Sequence, residues 1–257
     1  MSTEVKITKS GAVATLTLTS ADGLHVLTED ALDAVRSGLD TLSQDGELLA
    51  AILTAEGTRT FSAGADLRRM ADLDPERARA YSSHGQGVAQ AISRFPVVTI
   101  AALNAPVYGG GIELALACDF RVAAQGCIFH YQAARLGLLP GWGGTQRLPQ
   151  LVGRARAKAM MLMCRPVGAD EALDWGLVDD VAHGSDLGST VKRWTDELDG
   201  LERHSVIQIK RALELGQGGD YAGEREAFAA CFSGGRTQTA IREWLAKGRR
   251  TVSTPST

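Results

Sequence analysis

The chain reads as an α/β fold with one strand-rich core and a helical final third. Three observations lead there. Short apolar runs of strand length recur through the first half, glycine clusters fall where strand gives way to helix, and strand patterns cease beyond about residue 186. A chain of 257 residues, 44% of them hydrophobic, suffices for one packed core and does not require two large domains. The expected division is a core over residues 1–185 and a helical region over residues 186–257.

Residues 12–18 alternate apolar side chains with threonine, the period of a strand with one buried face. Thr28 is placed to cap a helix whose Leu32, Val35, Leu39 and Leu42 form one apolar stripe. Residues 48–53 are a continuous apolar run, as in a strand buried on both faces. A loop of small residues, TRTFSAGADL, follows. Residues 75–94 carry a weaker helical pattern, expected to break at Gly85 and Gly87. The run VVTIAAL after Pro96 is a further buried strand, and a helix is expected over residues 112–118 after Gly109, Gly110 and Gly111.

Short strands are expected at residues 120–123 and 127–130. Beyond Pro140 the pattern turns helical, punctuated by Gly153, Pro166 and Gly176, with one last strand at residues 177–181. Phe228, Phe232, Ile241, Trp244 and Leu245 fit helical spacing near the end, and the tail TVSTPST reads as disordered. The order strand, strand, helix recurs without sequence identity between turns, so any repeat is architectural.

The net charge of −3 carries no basic excess for nucleic acid and no acidic tail. No apolar run approaches a membrane span, and the opening MSTEVKITKSG lacks a signal core, so a cytoplasmic protein is expected. Cys118, Cys127, Cys164 and Cys231 form no Cys-x-x-Cys pair, and Cys118 and Cys127 read as buried thiols. The histidines, His25, His84, His130, His183 and His204, show no metal-ligand spacing, so no metal is expected.

Two loops lie between a buried strand and a helix: residues 62–67, SAGADL, and residues 108–113, YGGGIE. Such loops present unpaired N–H groups at the positive end of a helix dipole. Neither has the lysine of a P-loop or the spaced glycines of a dinucleotide fold. Two N–H groups converging on one oxygen would form an oxyanion hole; otherwise the glycines serve tight turns and close packing. Glu113 stands in the apolar stretch IELALA, where it is either a dipole partner or a pocket carboxylate with a raised pKa.

These segments together resemble the crotonase superfamily, the enoyl-CoA hydratase/isomerase family. The resemblance is carried by FSAGADL at 61–67, VYGGGIELALACDFRVA at 107–123, LGLLPGWGGTQRL at 136–148 and EALDWGLVDDV at 171–181. It implies a spiral of ββα turns whose C-terminal helices drive assembly as a homotrimer or a dimer of trimers. It implies an acyl-CoA site in the core, with coenzyme A as part of the substrate and no separate cofactor. The amides of Ala65 and Gly110 would hold the thioester oxygen, and Glu113 would be the acid/base. Ala63, Ala65, Asp66, Leu67 and Arg68 would lie along the coenzyme, helped by the loop containing His25.

The chain departs from the family at one position. The second glutamate of typical hydratases, seven residues before the proline of LGLLPG, is Ala133 here. The resemblance still implies a hydratase acting on a 2-enoyl-CoA. The alanine keeps open a crotonase-type decarboxylase, another acyl-CoA lyase or isomerase, or a weakly active acyl-CoA-binding protein. Gln132, beside the missing acid, is a candidate to hydrogen-bond water or substrate, or a structural amide. His84 and Trp142 are further candidates, the first for the active site and the second for narrowing the acyl pocket; each also has an ordinary surface or packing role open to it.

Overall fold

The main sheet that organises the molecule is parallel apart from its first strand, and its inner strands are short and largely buried. A computed structural model describes residues 2–184, 186–215, 222–233 and 236–246. Strands β1 (Glu4–Ser10) and β2 (Val13–Thr19) form an antiparallel pair. Strands β3 (Val26–Leu27), β4 (Ala50–Ala55), β5 (Gly64–Ala65), β6 (Val98–Leu103), β7 (Val107–Tyr108), β8 (Phe120–Ala124), β9 (Ile128–His130), β10 (Val167–Gly168) and β11 (Asp180–Ala182) follow. The main sheet runs β1-β2-β4-β6-β8-β11, parallel from β2 onward. The short strands form a second layer, with β3 parallel to β5 and β7 parallel to β9. A main-sheet strand, a second-layer strand and a helix therefore make one turn, and successive turns step sideways, a spiral of ββα units.

Helix α1 (Glu29–Ser43) starts where Thr28 accepts a hydrogen bond from the Ala31 N–H. Its Leu32, Val35, Leu39 and Leu42 are all buried, each worth about 1.5–3 kcal/mol before conformational costs. Helix α2 (Leu67–Met70) is a single turn, and α3 (Pro75–Ser93) is continuous. The expected breaks at Gly85 and Gly87 do not occur. Gly85 lies against the Trp142 ring, so a tertiary contact requires the small residue there. Helix α4 (Gly110–Ala117) begins two residues earlier than the sequence suggests and is buried throughout.

Helix α5 (Gly144–Leu162) kinks at Gly153, whose φ of 78° is outside the helical region. Helix α6 (Ala169–Asp174) precedes β11, which starts at Asp180 rather than at residue 177. Leu177 and Val178 are buried in the turn before it, so their apolar character marks the core and not the strand. Helix α7 (Leu187–Asp196) lies against the sheet: its Trp194 ring is 4.9 Å from Phe120, and its indole N–H donates to Asp180 at 2.9 Å. The chain accordingly divides into Met1–Gly200 and Leu201–Thr257, later than residue 185, because α7 packs with the core.

The second unit contains α8 (Arg203–Leu215), α9 (Ala222–Cys231) and α10 (Arg236–Ala246). Within it α8 packs on α9, and His204 bonds the Ala230 carbonyl at 2.9 Å. The expectation about residues 251–257 lies outside the described residues. Among the described residues no helix is long and apolar enough to cross a membrane.

Candidate active site

The two glycine loops meet because they have almost no side chains between them. A Cβ on Gly64 would lie 3.0 Å from the Tyr108 carbonyl oxygen and 3.4 Å from the Gly110 nitrogen. Gly64 also holds a φ of +86°, which glycine adopts without steric cost. A Cβ on Gly111 would come 2.7 Å from Ser62. The close-packing role of these glycines is therefore real. It also brings the β5 strand, with Ala65, beside the start of α4. The N–H of Gly110 is the first of α4 and has no acceptor within the helix.

A cavity of about 870 Å³ opens over this junction. Ala63, Gly64, Ala65 and Leu67 line it from the first loop, and Tyr108, Gly109, Gly110 and Glu113 from the second. Gln132, Ala133 and Trp142 close another side. Asp66 and Arg68 do not line it. Asp66 caps α2 by accepting from the Arg68 N–H at 3.0 Å, and the exposed Arg68 guanidinium turns back to the same carboxylate at 3.3 Å.

Glu113 is 3% exposed, on the cavity wall. Its Oε1 accepts from the N–H groups of Trp142 and Gly144, both at 2.7 Å. Burial pushes the carboxyl up to about 7; the two amides, with the Arg147 charge, oppose that rise. A carboxyl poised near neutrality between fixed donors is suited to exchange protons with a substrate carbon or a water. The thiols are not: burial pushes Cys127 up to about 12, and Cys118 and Cys164 are also buried.

His25 stands apart from the cavity. Its imidazole is fully buried and bonds the Thr60 carbonyl through Nδ1 at 2.9 Å. The Ser62 hydroxyl donates to the His25 carbonyl at 2.9 Å and accepts from the Gly64 N–H at 3.1 Å. His25 thus braces the first loop from behind, and its side chain does not line the cavity. His84 pairs with Asp33 at 2.7 Å on the outer face and does not line the cavity.

Trp142 is buried, with its ring 5.8 Å from that of Tyr81. A Cβ on either Gly85 or Gly110 would lie 2.3 Å from the indole. The ring therefore fills the angle between α3 and α4 directly beside Gly110. Gln132 donates from Nε2 to His130 Nδ1 at 3.2 Å, while His130 Nε2 bonds the Cys164 carbonyl at 3.1 Å. Ala133 begins a 3-10 turn, Ala133–Leu136, and presents only a methyl group.

Two further groups of residues on the cavity wall carry no functional signal in the sequence. Leu136, Leu138 and Leu139 are exposed apolar side chains at the mouth, hidden in a motif read for its glycines and proline. Tyr131 is fully buried, yet it lines the cavity. An aromatic after a strand reads as core, so no local signal marks it.

A profile described as Enoyl-CoA hydratase/isomerase matches residues 8–243. The short-chain-enoyl-CoA hydratase of Clostridium acetobutylicum is 34% identical over 247 residues, 95% of each chain. The mitochondrial methylglutaconyl-CoA hydratase of Rattus norvegicus is 34% identical over 208 residues, 80% of this chain and 66% of that one. Among solved structures, DspI of Pseudomonas aeruginosa superposes with a TM-score of 0.89 at 32% identity, covering 95% of this chain and 94% of that one. An enoyl-CoA hydratase from Bacillus anthracis gives 0.87 at 28% identity, covering 95% and 96%.

Proposed function

Because the chain belongs to the enoyl-CoA hydratase/isomerase family, we propose that it adds water to a 2-enoyl-CoA, with Glu113 as the acid/base. The observation that carries this reading is the Glu113 carboxyl, buried on the cavity wall beside the Gly110 amide and held near neutrality. In the forward direction the carboxylate takes a proton from water as the water oxygen bonds the β-carbon. The double-bond electrons move to the thioester oxygen, where the N–H groups of Ala65 and Gly110 stabilise the enolate. Glu113 then returns its proton to the α-carbon, so the sum is the substrate plus one water. The acyl-coenzyme enters across the first loop, past Ala63 and Leu67.

The test is a panel of acyl-CoA thioesters followed by mass spectrometry. Gain of one water on a 2-enoyl-CoA, lost in Glu113→Gln, is expected. A wild type that hydrates none of them, or a Glu113→Gln variant as active as wild type, refutes the reading. Ala133 favours a second one, a decarboxylase acting on a malonyl-type CoA. Loss of carbon dioxide requires enolate stabilisation and no second carboxylate, and the same panel would then record it. An acyl-CoA-binding protein would retain the thioester and turn nothing over.

The proposal includes assembly as a homotrimer or a dimer of trimers. Apolar side chains left exposed on a single chain, such as Leu213 and Phe228, support it. Light scattering at a mass of one chain would overturn it.

A further inference from the structure

Packing alone does not explain the side chain of Tyr131. Its hydroxyl is buried and has no hydrogen-bond partner among the described residues. A buried hydroxyl left unbonded is costly, and phenylalanine would fill the same space without that cost. Gly144 locates the hydroxyl. A Cβ built there would lie 2.6 Å from the Tyr131 oxygen and 3.0 Å from Glu113 Oε1, so both groups approach the same glycine. Both also line the cavity.

Neighbouring groups are committed or unsuited. His130 spends both ring nitrogens, one on the Cys164 carbonyl and one on Gln132. Gln132 is exposed and turns its amide to that histidine. Ala133 has only a methyl group to offer.

We propose that the Tyr131 hydroxyl holds the water that Glu113 activates, supplying the second hydrogen-bonding point that Ala133 cannot. The inference rests on the hydration reading above. The water donates one hydrogen to the Glu113 carboxylate and the other to the Tyr131 oxygen, which leaves a lone pair for the β-carbon. As the oxygen–carbon bond forms, the first hydrogen passes to Glu113, which delivers it to the α-carbon. The second stays on the new hydroxyl group. Tyr131 gives up no proton; burial, reinforced by the Glu113 charge, holds its phenol well above the ordinary value.

Tyr131→Phe tests this in two reactions. Hydration of crotonyl-CoA needs the held water. Exchange of the α-hydrogens of butyryl-CoA with deuterium oxide needs Glu113 and the enolate site but no water nucleophile. The expected result is a kcat for hydration lowered about 10- to 100-fold with KM within about threefold, an exchange rate within about twofold, and a melting temperature no lower than wild type. Hydration within about twofold of wild type overturns the role of Tyr131. So does an equal fall in hydration and exchange, the mark of a general distortion. If the wild type hydrates no 2-enoyl-CoA, the hydration reading fails and takes this one with it. If the wild type hydrates and the phenylalanine variant matches it, the tyrosine role alone fails.

Discussion

Glu113→Gln is expected to stabilise the protein above neutral pH while removing its acid/base group. The carboxyl titrates at about 7 in the folded chain against an ordinary 4.5. Between those values the folded state binds more protons than the unfolded state, so stability falls as pH rises through that window. The full gap corresponds to about 3 kcal/mol, lost from the wild type by the time pH exceeds about 7. Glutamine keeps the carbonyl that accepts from Trp142 and Gly144 and never ionises. The attraction to Arg147 is already contained in that net value and subtracts nothing further. Near pH 4.5 the variant should therefore match wild type, and near pH 8 it should exceed it by about 1–3 kcal/mol. For a chain of this size that is roughly 2–12 °C in melting temperature. Calorimetric scans of both proteins across this pH range provide the assay. Parallel pH profiles for the two would refute the claim that burial raises the Glu113 carboxyl to about 7. A wild-type kcat/KM that does not rise with pH through about 7 would refute its role as the base.

Trp142→Ala should open the cavity beside Gly110. Its cost in stability is about 3–5 kcal/mol by denaturant unfolding, and turnover should shift toward bulkier acyl groups in a competition panel. An unchanged ranking of substrates would show that the indole does not bound the acyl site. Arg121 is buried and donates to the carbonyls of Leu177 and Cys118 and to the Asp179 carboxylate, at 2.8, 3.0 and 3.0 Å. Arg121→Ala should destabilise by about 3–5 kcal/mol, since it strips the Leu177 and Cys118 carbonyls of the guanidinium and leaves Asp179 only the backbone N–H of residue 121. A urea midpoint within experimental error of wild type would contradict it.

Where local pattern and tertiary demand coincide, the structure was legible in the residues. Helix α1 is marked by its cap and by Leu32, Val35, Leu39 and Leu42 on one stripe, and that stripe is the buried one. The run VVTIAAL contains β6, every residue of which is buried. Strand β1 escaped notice because it is an edge strand whose side chains stay largely exposed, so no clean alternation of burial marks it. Helix α3 was expected to break because glycine costs about 1 kcal/mol within a helix. The reason to keep Gly85 sits far along the chain, in the ring of Trp142.

The candidate site divides similarly. Glu113 is conspicuous as a carboxylate in an apolar helix, and its surroundings account for it. His25 entered through the resemblance, as part of a loop along the coenzyme; its imidazole is buried behind the first loop with Nδ1 on the Thr60 carbonyl. Tyr131 gave no signal, because only three-dimensional proximity to Gly144 and Glu113 distinguishes it from any core aromatic.

The wedge formed by Trp142 also restricts how this lineage can change. Neither position 85 nor position 110 can acquire even a methyl group while the indole remains, since each added carbon would fall 2.3 Å from it. Any route to a side chain at either place must first pass through loss of the tryptophan, with its penalty in stability. Once such a side chain is fixed, the indole is barred from returning. Positions 85, 110 and 142, distant along the chain, are therefore coupled, and ancestral reconstruction is expected to show their replacements in a fixed order.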